Sequence, residues 1–313
     1  HIIPIEYLTG KTDLFHTSDW LEPPAGCPKI TTVHDMAIFK YPETFSPRGG
    51  HDIVGNLKRK LRWVKKESRM IIAVSENTKK DIVDILNIPE EKIRVIYEAA
   101  APVFNRPVEK ETAAAVKRKY EISGPYILAV GTREPRKNLG RVVEAYEMLA
   151  EKHDISLIIA GKKGWGGERL KAPRPRLGLA EGGQGSRLKA QKIKTLGFVE
   201  KEELAALYAG AECFVYPSLY EGFGLPVLEA MTCGCPVVTS NAGSLSEVGG
   251  EAAIYVNPLS SEDIAGGIKK ALEMRNGDEF VRLKEKMREQ AGKFSWERCA
   301  KETLAVYKEC AAL

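Results

Sequence analysis

Residues 213–243 read CFVYPSLYEGFGLPVLEAMTCGCPVVTSNAG, and this stretch leaves few folds open. Phe214, Val215 and Tyr216 are apolar and β-prone, and Pro217 breaks the run, so a buried strand ends there at a loop. Glycines stand at 222 and 224. Pro226 sits where a first helical residue would, since its missing N–H costs nothing there. Residues 227–233 then make two helical turns closed by Gly234. Strand, glycine loop and helix in that order present bare backbone N–H groups beside the positive end of a helix, a geometry that suits a phosphate or another polyoxygenated ligand.

Two carboxylates frame this loop: Glu221 before the glycines, and Glu229 in what the spacing reads as the first helical turn. Two acids so close in sequence could work as a hydrolytic acid/base pair. The reading we favour is that they accept bidentate hydrogen bonds from vicinal hydroxyls, while the loop takes phosphate. A plainer alternative has Glu229 complementing the helix dipole and Glu221 solvated.

The rest of the chain alternates strand and helix. Strands are expected at 13–16, 30–33, 70–74 and 93–97, and after residue 125 at 126–130, 155–160, 194–198, 236–240 and 253–256. Ser75 is placed to cap a helix running to about residue 86. The pattern predicts an α/β, doubly wound chain with ligands at the carboxyl ends of its strands. At 313 residues two domains are expected, divided as 1–118 and 119–294, with a last helix at 295–313. Residues 102–124, rich in proline and charge, read as the linker plus a helix at 111–120.

EGFGLPVLEAM followed by GCPVVTS resembles the donor-site signature of retaining glycosyltransferases of family 4, and TTVHDM, IIAVSENTKKDI and IRVIYEAA resemble the late part of that family's first domain. The resemblance runs from Asp13 to near the end and implies the GT-B fold, two Rossmann-like domains facing a cleft. It also implies an opening strand and a glycine-rich turn that would precede the first residue, so that the first domain is incomplete here. On that expectation, the chain as given binds donor but transfers sugar poorly until the upstream sequence is restored. The last helix would cross back to the first domain.

The resemblance implies a hexose, mannose or glucose, moved from a nucleotide-diphosphate sugar to a saccharide or lipid-linked saccharide. Arg136 and Lys137, in the RKN string after strand 126–130, would neutralise the departing diphosphate, with Gly131 beside them and Arg133 as a weaker candidate. Glu229 would accept the ribose hydroxyls and Glu221 a hydroxyl of the transferred sugar. Backbone N–H groups of Gly222, Phe223, Gly224 and Leu225 would serve the phosphates or sugar. His34, at a strand end before Asp35, would reach the sugar from the first domain. Taken alone, a lysine here reads as a solvated cation and a histidine as a packed one. The family is generally metal-independent, so no cofactor is expected. A nicotinamide oxidoreductase is set aside because the chain has no Gly-x-Gly-x-x-Gly string. A nucleotide-sugar-binding protein without turnover stays open.

Charge and cysteine place the remaining limits. Residues 162–192 carry nine Lys/Arg and two Asp/Glu, a local +7 against a whole-chain charge of +5, so the basic balance is local and no nucleic-acid partner is expected. With seven glycines and two prolines, that segment is read as a functional or disordered loop that trypsin would cut first. Residues 54–69 set Leu57, Leu61 and Val64 on one helical face among seven basic residues. This reads first as a core-packing helix with a solvated basic face, the alternative being peripheral contact with the cytoplasmic membrane face. The six cysteines show no metal-type spacing and fit a reduced, cytoplasmic compartment.

Overall fold

The structure, a computed structural model, describes residues 3–45, 52–150, 152–164, 192–275 and 277–312. Apart from residues 162–164 and 192, the basic glycine-rich segment lies outside them, and so does the expected tryptic site. The chain divides into two compact units, one of His1–Ala99, Tyr220–Gly224 and Phe294–Leu313, the other of Ala100–Leu219 and Leu225–Lys293.

The first unit is built on a parallel sheet whose strands lie in chain order: β1 (Phe15–Ser18), β2 (Lys29–Val33), β3 (Met70–Ala73) and β4 (Ile93–Val95). β1 lies two residues beyond the expected 13–16. Its ladder with β2 pairs Phe15 with Lys29 and Ser18 with Thr32, and that register carries the strand end up to Asp19. Helices α1 (Glu6–Thr9), α2 (Ala37–Lys40), α3 (Ile53–Glu67) and α4 (Glu76–Leu86) belong to this unit. In α3 the side chain of Asp52 caps the first turn by accepting from Gly55 N. Leu61 and Val64 are buried while Arg59, Arg62, Lys65 and Lys66 are exposed, which is the core-packing arrangement with its basic face in solvent. Ser75 caps α4 by accepting from Thr78 N at 3.0 Å.

The second unit begins at Ala100 and its first α-helix is α5 (Lys110–Lys119), so residues 102–118, expected in the first domain or its linker, belong here instead. The helix expected at 111–120 is α5, although proline and charge suggested an interdomain linker around it. Val116 is nonetheless buried, and Tyr120 Oη donates to Glu203 on α7 (Lys201–Gly210) at 2.6 Å, so the segment is packed structure. Between these helices come β5 (Tyr126–Val130), α6 (Leu139–Leu149), β6 (Ser156–Ala160) and β7 (Ile193–Gly197). After them follow β8 (Cys213–Tyr216), α8 (Leu225–Thr232), β9 (Val237–Thr239), α9 (Leu245–Gly249), β10 (Ala253–Tyr255), α10 (Ser261–Met274) and α11 (Asp278–Ala291).

The sheet order is β10-β9-β8-β5-β6-β7, all parallel. Chain order therefore reverses between β5 and β8, the switch point at which open α/β sheets leave a crevice for ligands. Ile127, Leu157, Val215 and Val238 of the strands are buried with Val142, Tyr146, Ile264 and Ile268 of α6 and α10. The chain ends in α12 (Trp296–Ala312), which returns to the first unit and buries Val306 and Cys310 against Ile30, Met70, Ile72 and Ile96.

Candidate functional site

In the second unit the site residues gather at the carboxyl ends of β5 and β8. After β5 the chain turns sharply at Asn138, which adopts a left-handed conformation (φ 59°) and starts α6. Its buried amide donates to the carbonyl of Pro217 at 3.0 Å and to that of Pro258 at 2.6 Å, and its oxygen accepts from Arg141 at 2.9 Å. Asparagine tolerates αL and brings both donor and acceptor, and here one side chain ties together the loops that follow β5, β8 and β10.

Lys137 stands on this floor. A Cβ placed on Gly131 would meet the Lys137 stem at 3.5 Å, in ordinary contact, so the glycine and the aliphatic stem pack together. The ammonium donates to Tyr216 Oη at 2.6 Å and lies 5.1 Å from the centroid of that ring, across the switch point from its own strand. Arg136 is engaged differently. Its guanidinium pairs with buried Glu134 at 2.8 Å and its carbonyl accepts from Leu219 N at 2.9 Å, so much of its work is to hold the loop. Arg133 Nε is buried with no hydrogen-bond partner among the described residues.

Glu229 lies in the second turn of α8, because the helix starts at Leu225 and its first turn holds no acidic residue. The expected first-turn placement fails by one turn, and with it the reading of Glu229 as a dipole complement. Tyr208 Oη donates to Glu229 Oε2 at 3.3 Å, and Tyr208 belongs to an aromatic row with Phe104, Phe214 and Tyr216. Burial pushes the Glu229 carboxyl up to about 7, with the Tyr208 hydrogen bond and the charge of Lys201 pulling the other way.

That shift gives a stability expectation. Above the carboxyl's ordinary value of 4.5 the unfolded chain releases this proton before the folded one does, so stability falls as pH rises from there and the full penalty is present above about 7. Glu229→Gln is therefore expected to melt higher than the wild type at pH 8 and to match it near pH 4.5, with a ceiling of roughly 3 kcal/mol for a shift of this size. A constant difference in melting temperature across that range would show that the carboxyl is not strained.

In the first unit the site residues again follow strand ends: Asp19 after β1, His34 after β2, Ser75 after β3 and Glu98 after β4. His34 Nδ1 lies 2.8 Å from Asp19 Oδ1, and His34 N donates to Asp19 Oδ2 at 3.2 Å. The Asp19 hydrogen bond raises the His34 pKa against the effect of burial, and the charges of Asp19, Glu98 and Asp35 add to the rise. Burial lifts the Glu98 carboxyl as well, although the charge of His34 counters this.

The segment Tyr220–Gly224 belongs to this same unit. Its backbone is clamped: Gly222 O accepts from Ser75 Oγ at 2.6 Å and from Thr78 Oγ1 at 3.1 Å, and Tyr220 Oη donates to buried Asp81 at 2.7 Å. Phe223 packs among Tyr97 and Phe294. Glu221 is buried, so it is not the solvated acid of the plainer reading, and Gly224 takes φ +108°, a conformation that L side chains rarely adopt. Gly131, Arg136, Lys137, Leu225 and Glu229 thus lie in the second unit, and His34, Glu221, Gly222, Phe223 and Gly224 in the first. The sequence left Asp19, Glu98, Glu134, Asn138 and Tyr216 without roles in the site. No group of three His, Cys, Asp or Glu side chains among the described residues is placed to hold a metal ion, and no described helix is long and apolar enough to cross a membrane.

Comparison with known proteins agrees with this architecture. Residues 112–294 match the family described as glycosyl transferases group 1, and residues 6–100 match glycosyltransferase family 4. The chain is 36% identical over 282 residues to an O-antigen chain mannosyltransferase B from Escherichia coli, covering 89% of this chain and 70% of that one. Among solved structures it resembles sucrose-phosphate synthase from Thermosynechococcus elongatus (TM-score 0.72, 22% identity, covering 98% of this chain and 76% of that one). It also resembles Anabaena HepE in complex with UDP and glucose (TM-score 0.69, 18% identity, 90% and 72% covered). The chain belongs to the glycosyl transferases group 1 family: it is a GT-B glycosyltransferase.

Proposed function

We propose that the protein transfers a hexose from a nucleotide-diphosphate sugar to a saccharide or lipid-linked saccharide acceptor, with the anomeric configuration retained. Mannose is the favoured sugar, on the strength of the Escherichia coli relative's name. The observation that carries this reading is the placement of Lys137 at the switch point, its ammonium oriented by Tyr216 where a diphosphate would lie. In this reading Lys137 and Arg136 stabilise the negative charge that develops as the bond from the anomeric carbon to the diphosphate breaks. The acceptor oxygen bonds to that carbon on the same face, and its proton passes to the departing phosphate oxygen. Glu229 takes the ribose hydroxyls, which favours its ionised form, and Glu221 takes a sugar hydroxyl. His34 acts on the sugar side, and no metal is required.

Incubation with GDP-mannose and a mannosyl acceptor, followed by NMR of the product's anomeric centre, tests the reaction. Retained configuration supports the reading and inversion overturns it, while binding without turnover on any acceptor would identify a nucleotide-sugar-binding protein instead. His34→Ala is expected to lower transfer by an order of magnitude or more while changing nucleotide-diphosphate affinity little. Equal losses in both would make His34 a support of the fold.

A further inference from the structure

His34 is only half described by its place in the chain. Its Nδ1 faces a carboxylate oxygen of Asp19 at 2.8 Å, and the second oxygen of the same carboxylate receives the His34 backbone N–H at 3.2 Å. An ionised carboxylate can only accept, so the imidazole must carry its proton on Nδ1, and Nε2 is the nitrogen left to act. Both oxygens of Asp19 bind the same residue, one its ring and one its main chain, which fixes the ring's rotation as well as its tautomer. The Asp19 side chain is itself shielded, at 10% exposure against 39% for His34, so the contact is worth more than a surface pair.

We propose that Asp19 is the positioning residue of the transfer reaction: it holds the His34 ring so that Nε2 is the nitrogen presented to the donor sugar, as a hydrogen-bond donor when the ring is protonated. The inference rests on the reading of His34 as a group that acts on the sugar. It extends that reading to residues on two further strand ends, at which a single acid carries no sequence signature.

Every packed element around the ring contributes a charge or a constraint. Asp19 and His16 come from β1 and its end, and His34 lowers the pKa of His16, as burial does more strongly. Asp35 follows His34 directly and Glu98 follows β4. The clamped segment that carries Glu221 lies against the His34 carbonyl. The carboxylates outnumber the one other histidine, so the protonated ring is favoured.

The test uses the full chain with 15N-labelled histidine. Asp19→Asn keeps one oxygen to accept from Nδ1, gives up the acceptor for His34 N and removes the charge, and its melting temperature checks that the fold survives. It is expected to lower the His34 pKa by about one unit in an NMR titration, to reduce kcat about tenfold and to leave nucleotide-diphosphate affinity within twofold. The alkaline limb of the kcat profile should shift to lower pH with the pKa, because the protonated ring is the acting form. Asp19→Asn added to His34→Ala should cost no more than His34→Ala alone. Asp19→Glu, with its charge retained, should restore part of the rate. An unmoved His34 pKa in Asp19→Asn, or losses that multiply in the double variant, would overturn the proposal. Normal transfer by His34→Ala would remove the underlying reading of His34 and the proposal with it, whereas impaired His34→Ala beside an unaffected Asp19→Asn would remove the proposal alone.

Discussion

Gly222→Ala is expected to abolish most of the transfer activity. A Cβ at this position would stand 1.7 Å from the His34 carbonyl oxygen and 2.6 Å from Asp35 Cβ, distances at which something must move. The backbone cannot simply withdraw, because its own carbonyl is held by Ser75 and Thr78 on the N-terminal turn of α4. Retreat would give up two hydrogen bonds, about 1 kcal/mol each, in addition to an overpacking cost of about 1–3 kcal/mol. Displacement of the segment would move Glu221 on one side and the end of β2, with His34, on the other. Transfer should therefore fall by two orders of magnitude or more, accompanied by a lower melting temperature. Wild-type turnover in this variant would mean that the segment has slack that its contacts do not suggest. Gly224→Ala tests a separate cause, the backbone conformation, since Gly224 takes φ +108°.

The second large effect concerns the donor. Lys137→Ala and Glu229→Ala are each expected to weaken nucleotide-sugar affinity by about one to two decades, because each removes a charge-assisted hydrogen bond worth roughly 1.5–3 kcal/mol. The two differ in side effects. Lys137→Ala removes the ammonium that donates to Tyr216 Oη, while Glu229→Ala deletes a carboxyl that burial already disfavours in its charged form. The lysine variant should accordingly be no more stable than the wild type at pH 8, and Glu229→Gln should bind poorly although it melts higher. Calorimetric affinities unchanged in both alanine variants would remove the donor site from the ends of β5 and β8.

Much of this was legible in the chain. Buried strands bounded by proline and glycine located β5 and β8, and the RKN string and the two glutamates marked the site because each stands just after a strand or beside a glycine loop. What escaped the sequence were partners chosen by the fold. Asp19 sits in a stretch of mixed polarity, and only pairing with β2 extends β1 to bring it beside His34. Ser75 reads as an ordinary cap, and its second role, donating to Gly222 O, joins residues 147 positions apart. The helix expected at 111–120 is α5, but proline and charge assigned it to a linker beside the first domain, whereas its packing depends on Val116 and on Glu203 far along the chain. Glu229 was placed a turn early because Pro226 marked the helix start, although the helix begins one residue before it.

Asn138 has a thermodynamic consequence for any nucleotide that arrives. Three loops that would each have to be immobilised around a ligand are joined through one buried amide before the ligand is present. The ordering entropy of those segments is then charged to folding and not to association. Differences in affinity among nucleotides at this end of the sheet should reflect contacts with the nucleotides themselves, and the site should accept or refuse a ligand without first having to be assembled.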